Sequence, residues 1–173
     1  MENSALLRVE HISKSFPGVK VLNDINIDFR KGEVHAILGE NGAGKSTLMN
    51  ILFGYYHAEE GNLIWEGKKV SLNSPIEAQH IGISMIHQEN SLIPYLSVMD
   101  NIYLGHYPKN GAFIDKRKLR ENAVALLDEL DVPDIGPDTP VEKLSVAQKQ
   151  LVEIVKALSL KPKLLMMDEP SLG

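Results

Sequence analysis

Apolar positions recur every second residue in the first part of the chain and every third or fourth residue later. Residues 6 to 12 read as a first strand. Ile25, Ile27 and Phe29 alternate with Asn26 and Asp28, the mark of a half-buried strand. Lys31-Gly32 turns the chain into Val34-His35-Ala36-Ile37-Leu38, a mostly apolar run ending at a glycine and predicted to be a strand buried on both faces. Lys45 to Leu52 lacks proline and glycine and predicts a helix that Gly54 stops. Leu63-Ile64-Trp65 is a short strand that Glu66-Gly67-Lys68 turns back towards Val70 and Leu72. Ser74-Pro75-Ile76-Glu77 opens a helix, with Ser74 as cap, Pro75 in the first turn and Glu77 completing a capping box. Ile81 to Ile86 predicts another buried strand, ending at His87-Gln88.

From about Gln88 to Ser145 the period changes and helices take over. Ser97 to Leu104 predicts a short one. Asp115 caps a longer one that places Leu119, Ala123, Leu126, Leu127 and Leu130 on one face. A Pro- and Asp-rich loop from Asp131 to Pro140 follows. Then come a helix from about Val146 to Leu158, a break at Lys161-Pro162-Lys163, and a strand at Leu164 to Met167. This order predicts an α/β fold with a helical subdomain inserted at about residues 88–145.

At 173 residues the chain is long enough for one well-cored domain, with 43% hydrophobic and 24% charged residues. The net charge of −5 gives no basic footprint for nucleic acid. With no cysteine there is neither a disulfide framework nor thiolate chemistry. No run approaches the ~18 apolar residues of a membrane span. Met1-Glu2-Asn3-Ser4 lacks the basic start and apolar stretch of a signal peptide, so a cytoplasmic location is expected.

The candidate chemistry centres on Gly39-Glu40-Asn41-Gly42-Ala43-Gly44-Lys45-Ser46-Thr47, between a predicted strand and a predicted helix. Glycines let a backbone wrap an anion with its N–H groups turned inward, and a helix start adds positive partial charge. Lys45 is placed to reach β- and γ-phosphates and the Ser46 hydroxyl to ligate Mg²⁺. The pattern predicts a phosphate-binding loop for a nucleoside triphosphate; the alternative is a plain glycine-rich turn. A dinucleotide loop needs the opposite glycine spacing. Asp168 and Glu169 close the apolar strand Leu164–Met167, where carboxylates face a ligand crevice. Asp168 is placed to hold Mg²⁺ and Glu169 to accept a proton from attacking water, although adjacent acids after a strand are often only structural. Gln88 either orients water and touches the metal or is merely solvated. Phe16, in a loop ahead of Pro17-Gly18, either stacks on a base or belongs to the core. Ser145 and Gln148 form a capping-box pattern that is either a well-capped helix or a second anion site.

In order, the phosphate loop, Ile86-His87-Gln88-Glu89, Leu144-Ser145-Val146-Ala147-Gln148 and Leu165-Met166-Met167-Asp168-Glu169-Pro170 resemble the ATP-binding cassette of ABC transporters, from about Leu6 to the last residue. Phe16-Pro17-Gly18-Val19, Leu92-Ile93-Pro94 and Gln148-Lys149-Gln150-Leu151-Val152-Glu153-Ile154 are most similar to the cassettes of bacterial monosaccharide importers of the ribose, galactose and xylose type. The resemblance implies an ABC-type P-loop NTPase, with an antiparallel β subdomain beside the core sheet and an inserted helical subdomain. It implies ATP and Mg²⁺ as ligands, Phe16 as the adenine-stacking aromatic, Gln88 as the residue that senses nucleotide, and Glu169 as general base. It further implies that Ser145 to Gln148 bind the γ-phosphate held by the opposite cassette of a head-to-tail dimer. Val146 and Ala147 stand where that signature usually has two glycines. The implied partners are integral-membrane permease subunits, at the inner face of the cell membrane, and Leu92, Ile93, Tyr95 and Leu96 are expected to be exposed towards them or to pack on the helical subdomain. The family places a switch histidine beyond the position of Gly173, on a strand between Val34–Leu38 and Leu164–Met167. The chain therefore reads as an N-terminal part of a cassette, inactive by itself. The competing readings are a soluble cassette ATPase outside transport and a non-catalytic truncated product.

Overall fold

The computed structural model describes residues 5–87, 91–132 and 134–168. It forms two compact bodies, one up to Ile83 and one from Ser84.

The first body is built on a four-stranded sheet. Strands β1 (Ala5–Phe16) and β2 (Val19–Arg30) form a long antiparallel hairpin; β3 (Glu60–Trp65) pairs with the other edge of β1, and β4 (Lys68–Val70) with β3. The order is β2-β1-β3-β4. Alternation buries Leu7, Val9, Leu63 and Trp65 on one face. Between Val9 and Ile12 the register slips, and His11 and the facing Asp24 both take φ of 55°. Gly61 (φ 93°) fits beneath this bulge, where a Cβ would collide with the backbone of Glu10 and His11. Helix α1 (Lys45–Leu52) buries Leu48, Met49, Ile51 and Leu52, and α2 (Pro75–Ile81) follows β4. Ser74 caps α2, accepting from Glu77 N–H at 3.3 Å. The Glu77 carboxylate does not reach back to the cap as a capping box requires. It accepts from the N–H and the amide of Asn73.

Three further expectations do not hold. Phe16 stands in no loop: it is the last residue of β1, paired with Val19 across the Pro17-Gly18 turn. The run Ile81 to Ile86 is not all strand, because α2 continues through Ile81 and the strand starts at Ile83. Val34–Leu38 forms no strand, and Val34 and Leu38 are fully exposed. An apolar run becomes a buried strand only when neighbours on both sides take its N–H and C=O groups. Among the described residues no strand pairs with it.

The second body contains the strand pair β5 (Ile83–Ile86) and β8 (Leu164–Met167), the small hairpin β6 (Lys109–Asn110) and β7 (Phe113–Ile114), and helices α3 (Val98–Ile102), α4 (Lys116–Glu129) and α5 (Val146–Ser159). Its core joins Leu92, Val98, Ile102, Ala123, Leu127, Ile135, Val141, Leu144, Val152 and Val155. Each helix starts where a short polar side chain caps it: Ser97, Asp115 and Ser145. Asn101 is fully buried and knits the loop ahead of α3 to the helix. Its carbonyl accepts from Ile93 N–H at 2.7 Å, and its amide donates to Ile93 O and Ser97 O, each at 3.0 Å.

Candidate nucleotide-binding site

The loop Gly39–Gly44 is irregular backbone that turns into α1 at Lys45. Gly42 and Gly44 have φ of 85° and 88°, a conformation costly for any other residue. Gly44 is also packed. A Cβ there would lie 2.7 Å from Leu22 Cδ2 and 2.9 Å from Val21 O, so only glycine lets α1 begin against β2. At Gly39 a Cβ would meet that of Ala43 at 3.1 Å. Ala43 N–H donates to Glu40 O at 3.1 Å, closing the turn around Asn41 and Gly42. The Lys45 ammonium lies across the loop, donating to Gly39 O (2.8 Å) and Glu40 O (3.0 Å). Ser46 and Thr47 occupy the first turn of α1, with Ser46 exposed. Glycine-freed backbone, a helix start and an ammonium share one short segment, a combination whose chemistry suits an anion.

Phe16 belongs to the same body. Its partner Val19 precedes Val21 and Leu22, the residues against Gly44, by a few positions of β2. At about 3.3 Å per residue, Val19 lies roughly 7–10 Å along β2 from the residues against Gly44. The ring is 37% exposed. Tyr56, which the sequence reading passed over, meets it edge to face at 5.4 Å between centroids. The available signal was the pair Tyr55-Tyr56, just past the glycine that stops α1.

In the second body the Ser145 hydroxyl accepts from Gln148 N–H at 3.3 Å, and the Gln148 side-chain oxygen accepts from Ser145 N–H at 3.0 Å. This reciprocal pair starts α5. Val146, beside it, is 71% exposed. Asp168 follows β8, and its N–H donates to Ile86 O at 3.1 Å. Gln88 and Glu169 lie outside the described residues. Of the apolar residues expected at the surface, Tyr95 (81%) and Ile93 (39%) are exposed. Leu92 is not: it is buried in the helical core. The reason is a clamp at its neighbour. The Glu153 carboxylate accepts from the N–H and hydroxyl of Ser91, and the Lys156 ammonium donates to the same hydroxyl at 2.9 Å. A shallow depression of about 340 Å³ on β1 and β2, lined by Arg8, Glu10, His11, Asn26 and Asp28, contains no loop residue.

The family model described as ABC transporter matches residues 22–172. The chain belongs to the ABC transporter family. It is 55% identical over 170 residues to the putative ribose/galactose/methyl galactoside import ATP-binding protein 1 of Agrobacterium fabrum, covering 98% of this chain and 34% of that protein. It is 49% identical over 166 residues to the galactose/methyl galactoside import ATP-binding protein MglA of Salmonella typhimurium, covering 96% and 33%. This ABC chain thus spans about a third of the length of the curated relatives it matches. A nucleotide-free ATP-binding cassette from an ABC transporter superposes with a TM-score of 0.83 at 33% identity, over 98% of this chain and 70% of that one. The ADP conformation of an ATP-binding cassette of an ABC transporter gives 0.81 at 33%, with the same coverage. The fold is the α/β P-loop NTPase fold of ABC cassettes. No described helix is long and apolar enough to cross a membrane.

Proposed function

We propose that this chain is the N-terminal, nucleotide-binding part of the ATP-hydrolysing subunit of an ABC importer, working for a monosaccharide. The observation that carries the reading is the glycine-closed loop under the Lys45 ammonium. The sugar-import names of the relatives support the substrate class and speak against an ATPase outside transport. The two bodies are read as parts of one cassette, with the helical subdomain at about residues 88–145.

In this reading Gly39, Asn41, Gly42, Ala43, Gly44 and Thr47 surround the phosphates, Lys45 donates to the β- and γ-oxygens, and Phe16 carries the adenine. The Ser46 hydroxyl, the Asp168 carboxylate and Gln88 are hard oxygen donors of the kind Mg²⁺ takes. Bound there, Mg²⁺ would neutralise phosphate charge. Glu169 takes the proton of attacking water. Ser145 and Gln148 serve the γ-phosphate held by a second cassette, and the exposed Val146 suits a face covered by a partner. The clamped Ser91–Ser97 loop presents Ile93 and Tyr95 to a permease at the cytoplasmic face of the membrane.

In the full-length protein assembled with its permease, Glu169→Gln should bind ATP like the parent and lose ~10²–10⁴-fold of turnover. Hydrolysis at the parental rate would place the base elsewhere.

A further inference from the structure

The Phe16 ring does not stand alone. Tyr56 meets it edge to face, with the ring planes at 75° and the centroids 5.4 Å apart. The Lys14 ammonium sits over the ring, 5.5 Å from its centroid, on a side chain only 19% exposed and ion-paired with Glu59 at 3.8 Å. Tyr56 is itself tied to the helix that follows the glycine loop. Its N–H donates at 3.2 Å to Asn50 O, in the last turns of the helix that starts at Lys45. Beyond it, Glu59 N–H donates to Ser13 O at 2.9 Å and anchors the segment to β1. The segment from Tyr56 to Glu59 thus runs from the far end of α1 to the strand that carries Phe16.

An exposed phenylalanine at a strand end is free to rotate about χ1 and χ2, and a rotating ring is a poor platform for a flat base. Here an edge contact fixes the ring plane and a cation occupies one face. We infer that Tyr56, with Lys14, is a positioning residue that holds Phe16 to receive a nucleobase on the face opposite the ammonium. The inference rests on the reading of Phe16 as the base platform. Neither Tyr56 nor Lys14 need touch the nucleotide. What they supply is discrimination in favour of ligands that carry a base.

The test compares the affinities of the full-length protein for Mg-ATP and for magnesium tripolyphosphate, which has the phosphates without the base. Phe16→Ala should weaken ATP at least about fivefold and leave tripolyphosphate unchanged. Tyr56→Leu should weaken ATP about three- to tenfold, again with tripolyphosphate unchanged, because the lost contact is an aromatic pair. Tyr56→Phe keeps the ring edge and should bind both ligands like the parent. Thermal melts establish that each variant is folded. If Phe16→Ala leaves the ATP-to-tripolyphosphate ratio intact, the platform reading itself fails, and this inference with it. If Phe16→Ala lowers the ratio but Tyr56→Leu does not, the platform stands and the inference about Tyr56 is overturned. Equal weakening of both ligands by Tyr56→Leu marks a purely structural role and overturns it too, as does a lowered ratio in Tyr56→Phe.

Discussion

Gly44→Ala should be among the most damaging single-methyl additions in the first body, and a matched control shows why. Two costs combine at this position. The backbone has φ 88° and ψ 6°, where a Cβ costs about 1–2 kcal/mol by steric strain. The new methyl would also lie 2.9 Å from Val21 O and 2.7 Å from Leu22 Cδ2. Leu22 can rotate away, but the Val21 carbonyl belongs to a sheet strand and cannot, which adds overpacking of about 1–3 kcal/mol. The total is about 2–5 kcal/mol, a large part of the ~5–15 kcal/mol that stabilises a typical domain. Gly42 has the same backbone strain, φ 85°, but nothing lies within 4 Å of a Cβ built there. Gly42→Ala should therefore cost only about 1–2 kcal/mol. Urea unfolding of parent and both variants, followed by circular dichroism, measures the two costs. Equal losses in the two variants would refute the claim that α1 starts in contact with β2.

Two other substitutions follow from the second body. Asn101→Leu keeps the branched shape but strips the partner from Ile93 N–H, while Ile93 O and Ser97 O keep the N–H groups of Leu96 and Asn101; one orphaned donor should cost about 1–3 kcal/mol in urea unfolding, and an unchanged stability would show the loop to be held by other means. His106 is half-buried, and desolvation by burial lowers its pKa, opposed in part by its hydrogen bond to Leu104 O. Its folded value lies below the unfolded ~6.5, so the stability it contributes is present above that pH and is lost as pH falls through the folded value. The melting temperature should fall on acidification from pH 7.5 to 5.5, and His106→Gln should flatten that part of the profile; an unchanged profile would contradict the assignment.

What the sequence disclosed and what it hid divide along physical lines. The bounds of α1 and β8 are readable because each has local punctuation: glycines around α1, and Lys161-Pro162-Lys163 and the acids around β8. The caps at Ser97, Asp115 and Ser145 are equally local, a side chain and an N–H three residues apart. The helix side of the phosphate loop was therefore legible. The strand side was not. Val34–Leu38 has a strand's composition, but a ladder depends on partners that hydrophobicity cannot name. Leu92 reads as surface among its neighbours, and its burial depends on Glu153 and Lys156, some sixty residues away. Tyr56 escaped for the same reason. Its meaning comes from Phe16, brought to it by the β1–β3 pairing. The Glu77 carboxylate found Asn73 because both were within reach and the sequence pattern could not rank them.

The central claim is that the Gly39–Thr47 loop binds Mg-ATP through Lys45. Its most direct test is a titration of labelled ATP, with magnesium, against the parent chain and against Lys45→Ala. The ammonium already bridges Gly39 O and Glu40 O in the loop, so its loss removes the cation without disturbing the core. Charge-assisted hydrogen bonds contribute about 1.5–3 kcal/mol each, so affinity should fall at least about tenfold. Equal affinity of parent and Lys45→Ala would contradict the account.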